Sequence, residues 1–475
     1  MNLARASLKI VVANGISAIA VFVGLAVLAR HLSPAQMGAF FLFQTLVGVF
    51  SLLADVGIRG AVEKRLSEGR DSGTVLTTAL LLKTAVTGIV LIGIYAFRDT
   101  LNAYMGAELA LWVALGVVLN EASELVIHVL RGELRVGDTA PIEAARHLVW
   151  FGVAVPLAIV GFGTLGVVFG FLGGFVVAVS WGVVSWTTTF GRPSIAQARS
   201  LLQYSRYNFV SAAGGYIYNW MDVAVLGLFV SNSLIGAYEY AWQITLVASL
   251  VARSVATTAF PQLSKWNESD QRSSVESTLT SAMSVGLFVS VPAFFGVVVL
   301  ADPMLRYLFG ADYAVAALVL VILMGEKVLL SVKEILDRAL LAVDKPDLVA
   351  RAVIITVVLN LVLNVALVAQ YGIVGAAIAT AVAFGVETFL AGRYVSRFVT
   401  VRVPYRHLFW YSLGSLVMVL GLVGYQWLVG VNGLVDLLLA ILIGFVLYAG
   451  TTIAFPEVRE QVVLTGLRTL SSGNE

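Results

Sequence analysis

The 475 residues are 59% hydrophobic and 12% charged, where a soluble domain carries roughly 25% charged residues. A soluble fold of this length could not hide so much apolar side chain behind a mainly polar surface, so lipid must cover part of it. Cysteine is absent, which excludes disulfides, thioether-linked haem and thiolate metal centres, and four scattered histidines argue against a multi-histidine metal site.

A hydrocarbon core about 30 Å thick takes roughly 20 helical residues. Residues 1–9 are short and basic, and the apolar stretch 10–29 is long enough to span. It lacks a convincing small-residue cleavage site and reads as the first helix, not a leader. Apolar stretches then recur, centred at about residues 20, 48, 85, 118, 155, 175, 218, 244, 290, 322, 358, 381, 419 and 441. Short joins at 161–164, 231–233 and 370–371 suit helical hairpins, and the charged run 314–343 suits a broken or partly cytoplasmic helix. The expected fold is an all-α membrane protein of about fourteen transmembrane helices.

Lys and Arg placement gives the orientation. With the N-terminus in the cytoplasm, 25 of the 30 basic residues fall on the cytoplasmic side, whereas Arg30, Arg98 and Arg306 face out and Lys83 and Lys327 lie within spans. Losing one helix would invert every later loop, so an even number with both termini cytoplasmic is expected. The setting is the cell membrane.

A weak internal repeat divides the chain. Gly38-Ala39-Phe40 resembles Gly236-Ala237-Tyr238, Val136–Thr139 resembles Val343–Pro346 with Asp138 matched to Asp344, and Gly163-Thr164-Leu165-Gly166 resembles Gly372-Ile373-Val374-Gly375. The expected layout is two pseudo-symmetric six-helix lobes, 1–190 and 191–400, terminal helices 13 and 14 at 401–455, and a cytoplasmic tail at 456–475. Parallel repeats of this kind build two-lobed transporters with a central cavity.

Ionisable side chains inside spans are costly unless paired or wetted, which makes them the local clues. Glu121, Glu124, His128 and Arg131 fall on one helical face at spacings of three, four and three. They read either as a cavity wall or proton-sensitive network, His128 titrating near neutral pH, or as a structural ion-pair network of Glu124 with His128 or Arg131. Asp222 shares a face with Tyr218 and reads as a coupling-ion or proton site, or as a carboxylate satisfied by the Tyr hydroxyl. Glu239, Trp242 and Gln243 follow in the eighth span. Glu326 and Lys327 are adjacent, so they should point apart and need separate partners or an aqueous cavity. Lys83 and Lys327 give one intramembrane cation in each half. Lys333 with Asp337 reads as interfacial helix support, Asn360 with Asn364 as helix glue, and the stripe Gly166, Gly170, Gly174 as a tight packing face.

No catalytic set is present: no G-x-x-x-x-G-K-[ST], no G-x-S-x-G and no H-E-x-x-H. The loops are too short for an enzyme domain, and their basic residues reflect topology and anionic lipid, not nucleic acid. No cofactor or metal is expected; proton or sodium coupling stays open.

Leu28-Ala29-Arg30-His31-Leu32-Ser33-Pro34-Ala35-Gln36-Met37-Gly38-Ala39-Phe40 resembles the turn between the first two spans of the polysaccharide and oligosaccharide flippase family, within the multidrug/oligosaccharidyl-lipid/polysaccharide exporter group. Ala54-Asp55-Val56-Gly57-Ile58-Arg59-Gly60-Ala61 resembles the family's ending of the second span, and Tyr371-Gly372-Ile373-Val374-Gly375-Ala376-Ala377 its opening of the twelfth. The resemblance implies alternating access that carries a polyprenyl-(pyro)phosphate-linked oligosaccharide from the cytoplasmic to the outer leaflet. Under it, Lys83, Lys327, Arg30 and Arg59 are the charges to set against the headgroup, and Tyr218 and Trp242 the rings to stack on sugar. Glu121, Glu124, His128, Asp222, Glu239 and Glu326 are the coupling or polar-network candidates. The implied partners are the glycan substrate, membrane lipids, and glycosyltransferases or a glycan polymerase. The alternatives are a cation-coupled multidrug or metabolite antiporter, for which Asp222, Glu121 and Glu326 would serve, and a non-transporting scaffold for glycan assembly.

Overall fold

The computed structural model describes residues 3–69, 71–268, 272–456 and 459, with side chains at 3–14, 16, 207–208, 210–219, 250–255, 258–268 and 272–273 outside the description. Among the described residues the chain is helical and has no strand, and ten helices are long and apolar enough to cross a membrane. It is a multi-pass, all-α membrane protein. Two compact units divide it, Met1–Gly236 and Ala237–Glu475.

The first unit holds α1 (Leu3–His31), α2 (Pro34–Asp55), α3 (Ile58–Ser67), α4 (Ser72–Ala96), α5 (Arg98–Met105), α6 (Ala110–Gly132), α7 (Val136–Ile159), α8 (Gly163–Ser185) and α9 (Ile195–Phe229), and it ends within the first turns of α10 (Asn232–Glu268). The turn into α2 is written in Ser33-Pro34-Ala35-Gln36. Gln36 N–H donates to Ser33 Oγ at 3.3 Å, Ser33 N–H donates back to Gln36 Oε1 at 2.9 Å, and Pro34 fills the first helical position. The glycine stripe on α8 faces α7. A Cβ on Gly170 would stand 2.4 Å from Trp150 O, one on Gly174 2.5 Å from Arg146 O, and one on Gly166 2.9 Å from Leu157 Cβ. Close backbone approach of this kind is how helices gain contact where lipid removes the hydrophobic drive.

The second unit continues with α11 (Arg272–Leu308), a 3₁₀ turn (Ala311–Ala316), α12 (Ala317–Ala342), α13 (Pro346–Val395), α14 (Tyr405–Leu428) and α15 (Leu434–Ile453). α13 is two helices in series, broken at Gly372 with φ 56° and ψ −133°. The terminal pair is fastened to α11 by buried tyrosines: Tyr411 and Ser284 hydroxyls meet at 2.8 Å, and Tyr448 donates to Phe288 O at 2.8 Å.

Backbone geometry tests the repeat. Gly163 and Gly372 both have φ 56°, so that match holds at an offset of 209. The match of Asp138 to Asp344 does not hold. Asp344 has φ 58° and its counterpart is Leu134 at φ 60°; in both turns the next N–H donates five residues back, Arg135 to Leu130 O and Lys345 to Leu340 O, each at 2.9 Å. Position in the helix-ending turn, not the shared aspartate, sets the register. Gly38 and Gly236 meet in the structure. A Cβ on Gly38 would collide with Asn232 O, and one on Gly236 would stand 2.3 Å from Pro34 O.

Gly170→Ala should cost about 1–3 kcal/mol by overpacking against the α7 backbone, whereas Gly93→Ala on α4, with nothing within 4 Å of an added Cβ, should leave stability unchanged or slightly raised. Thermal unfolding of the two variants in detergent checks this, and equal midpoints would reject the packing.

Candidate functional site

α2 ends at Asp55, and the next two residues, Val56 (φ 47°) and Gly57 (φ 80°), turn the chain through the left-handed region into α3. Only glycine fits at 57. Its φ is positive, and a Cβ there would lie 2.5 Å from Ser205 O of α9. The Asp55 carboxylate accepts the N–H groups of Gly57 and Arg59, both at 3.1 Å, and so caps α3.

The same carboxylate begins an ionic chain. Lys83 Nζ, from α4, donates to Asp55 Oδ1 at 2.7 Å and to Glu121 Oε2, from α6, at 2.5 Å. Asp55 is 1% exposed, Lys83 4% and Glu121 4%. Arg59 Nε lies 3.3 Å from Asp55 Oδ2, and its Nη1 lies 3.6 Å from Glu124 Oε2; Glu124 Oε1 lies 3.5 Å from Arg146 Nη1 of α7. The sequence Glu121–Lys83–Asp55–Arg59–Glu124–Arg146 alternates in sign over five helices and is formally neutral. Each charge taken from water is answered by a neighbour, which is the condition for keeping it in a membrane span.

The α6 stripe therefore works outward, not along itself. Glu121 reaches α4, and Glu124 reaches α3 and α7. His128 Nδ1 pairs with Glu63 Oε2 of α3 at 2.6 Å, and Arg131 with Glu143 of α7 at 3.2 Å. The expected pairing of Glu124 with His128 or Arg131 is replaced by cross-helix partners, because a cross-helix pair satisfies two buried elements at once. Glu63 lies outside the spans, and the hydrogen bond from His128 holds its carboxyl below the ordinary 4.5 against the opposing effect of partial burial.

The second unit has its own ionic cluster, partly buried. Lys333 Nζ stands 3.1 Å from Asp337 Oδ2 and 3.0 Å from Glu387 Oε1 of α13. Lys333 with Asp337 forms the expected i,i+4 pair, and Glu387 joins it to make a partly buried three-residue cluster. Lys327 Nζ lies 2.6 Å from Glu326 Oε2 and 4.0 Å from the ring centroid of Trp242. The adjacent pair does not point apart: the lysine stem is long enough to bring its ammonium back to the neighbouring carboxylate, over an aromatic face. Asn360 donates to Thr380 Oγ1 at 3.2 Å across the break in α13, and Asn364 donates to Asn360 Oδ1. Gln243 Nε2 donates to Glu239 at 2.9 Å. Asp222 is buried in α9 and Arg30 is exposed at the end of α1. The Tyr218 side chain lies outside the described residues.

Two acids that complete these clusters were not singled out as ionic partners by sequence. Asp55 figured only within a motif at a helix end, although its position four residues before Arg59 was a signal. Glu387 lies 54 positions from Lys333 and carried no local signal.

A protein-family model described as "Polysaccharide biosynthesis protein" matches residues 27–318. The "Probable low-salt glycan biosynthesis flippase Agl15" of Haloferax volcanii is 42% identical over 97% of this chain and 98% of its own length. The "Probable flippase AglR" of the same organism is 30% identical over 81% of this chain and 82% of its own. Among solved structures, "Lipid II flippase MurJ, inward closed conformation" shares the fold at TM-score 0.80 and 18% identity, over 94% of this chain and 98% of that one.

Lys83→Met should cost about 3–5 kcal/mol, since it leaves two buried carboxylates facing each other, and adding Asp55→Asn with Glu121→Gln should recover most of that loss. Thermal midpoints of the single and triple variants decide; a triple no better than the single removes the triad from the fold's support. The Glu63–His128 pair predicts an acid effect: because the folded pKa of Glu63 is lowered, its stabilisation is complete above the ordinary 4.5 and is lost as pH falls through the lowered value. Glu63→Gln should flatten that part of the stability–pH curve, and an unchanged acid limb would count against the pair.

Proposed function

The chain belongs to the polysaccharide biosynthesis protein family, and from that premise we propose that it carries a polyprenyl-(pyro)phosphate-linked oligosaccharide from the cytoplasmic to the outer leaflet by alternating access. The single observation carrying this reading is likeness along nearly the whole chain, at 42% identity, to a relative named as a glycan biosynthesis flippase. The protein is a transporter and not an enzyme.

Physical chemistry fits the cargo to the spans. A charged headgroup and its sugars need a wet, polar passage, while the polyprenyl tail remains in hydrocarbon. Lys327 on the Trp242 ring joins a cation to an aromatic face in one place, which suits a phosphate with a sugar beside it. Lys83 is already held by two carboxylates, so a phosphate reaches it only by displacing Asp55 or Glu121. The Lys and Arg bias supports both termini in the cytoplasm of a cell-membrane protein, and glycosyltransferases or a glycan polymerase would supply and use the cargo. Proton or sodium coupling through the buried carboxylates belongs to the same proposal.

The test is leaflet translocation of defined polyprenyl-linked oligosaccharides by the purified protein in liposomes, with and without imposed proton or sodium gradients. Translocation should require the protein and the lipid-linked glycan, and Lys327→Ala should lower its rate by about tenfold, the loss of one desolvated cation contact. Export of small cationic compounds without glycan transport would point to an antiporter. No transport of any cargo would point to a scaffold.

A further inference from the structure

Within the first unit, α2, α6, α7, α8 and α9 enclose a half-open cavity of about 180 Å³. That is the share of about six waters at ~30 Å³ each, and one monosaccharide ring fits in their place. The wall divides by chemistry: Trp150 and Trp220 give flat apolar faces, Gln44 and Asn120 give amides, and Glu124 with Arg146 gives an ion pair at 3.5 Å. Gly48 makes room for one of these faces. A Cβ there would come within 3.0 Å of Trp220 Nε1, so the indole rests directly on the α2 backbone.

A second observation points to a ligand. Trp150 is 7% exposed, and its indole N–H has no hydrogen-bond partner among the described residues. A buried donor without an acceptor is costly, and an acceptor from outside the chain would satisfy it. Charge then narrows the ligand class. Among the described lining residues Arg146 is paired with Glu124, so the cavity wall is formally neutral and offers a phosphate no surplus cation. Indole faces beside amides and one carboxylate suit a neutral sugar: its C–H face stacks on the ring, and its hydroxyls donate to carboxylate and exchange hydrogen bonds with amides.

We infer that this cavity receives one neutral sugar ring of the lipid-linked glycan, with Trp220 as stacking face and Gln44 and Asn120 as the groups that read its hydroxyls; the inference rests on the flippase reading above. The phosphate is held elsewhere. Glu124 also couples the cavity to the buried ionic chain, since a hydroxyl that draws it from Arg146 shifts the line of charges that ends on Lys83 and Glu121.

The test uses the full-length protein in proteoliposomes with two probes: dolichyl phosphate, and dolichyl phosphoryl hexoses (glucose, mannose and galactose) carrying a photoactivatable diazirine on the sugar. At least one hexose probe should label peptides of the five enclosing helices, α2, α6, α7, α8 or α9. Asn120→Leu and Trp220→Leu should each reduce that labelling and the translocation of the same probe by about tenfold, the loss of a hydrogen bond or stacking face, with bare dolichyl phosphate handled as in wild type. Trp220→Phe keeps a ring and should retain most of both, which separates stacking from a folding defect. Leu148→Ala, exposed on α7, should match wild type. Labelling confined to other helices, no labelling by any hexose, or labelling unchanged in Asn120→Leu and Trp220→Leu overturns the sugar site. If wild type translocates neither lipid, the flippase reading fails, and the labelling pattern still decides the cavity by itself.

Discussion

Lys83 Nζ sits between two carboxylate oxygens, 2.7 Å from Asp55 and 2.5 Å from Glu121, and so fastens α2, α4 and α6 at one point. An ammonium taken from water into a membrane span is tolerated only with partners of this kind. The partners have the same need, so each side chain fixes the other two. Asp55 does more, because its oxygens also cap α3 and hold Arg59. The left-handed turn at Val56 and Gly57, the approach of α9 to that turn, and the reach of Arg59 to Glu124 all depend on where this one carboxylate is placed.

A neutral line of charges has different uses from a cluster of one sign. It does not draw a phosphate in by net field, and it does not repel one. What it offers is exchange: any member can change partner if another group takes its place. In unit 2, Lys333 between Asp337 and Glu387 repeats the arrangement of one lysine with two acids on different residues and helices. Lys327 sets its ammonium against the Glu326 carboxylate and the indole face of Trp242. Each unit thus holds its cations by local pairing, and rearrangement among pairs is a low-cost way to pass between states of a transporter.

Much of this was legible in the sequence, for physical reasons that differ from part to part. Spans could be read because hydrocarbon thickness fixes their length. The packing role of Gly166, Gly170 and Gly174 followed from helical spacing. Partners could not be read, since spacing along α6 says which side chains share a face and not which helix comes to meet them. Glu387 and Lys333 are brought together by the packing of α13 on α12, and no local rule announces it. The match of Asp138 with Asp344 failed because letters were compared where backbone conformation is what the two turns share. Glu326 and Lys327 failed for a simpler reason. Adjacent Cβ directions diverge, but a four-carbon stem can undo the divergence.

The meeting of Gly38 with Gly236 has a consequence for how such a chain arose. Gly38 lies against Asn232 at the head of α10, and Gly236 lies against Pro34 at the head of α2. Shifted by 198 positions, each contact becomes the other. The reciprocity is what a duplicated segment leaves behind: in each repeat a glycine stands where the backbone at the head of the other helix comes within the space of a Cβ. A side chain added at either position would push on the same meeting of helix heads, so neither glycine can be replaced without disturbing the contact of the other.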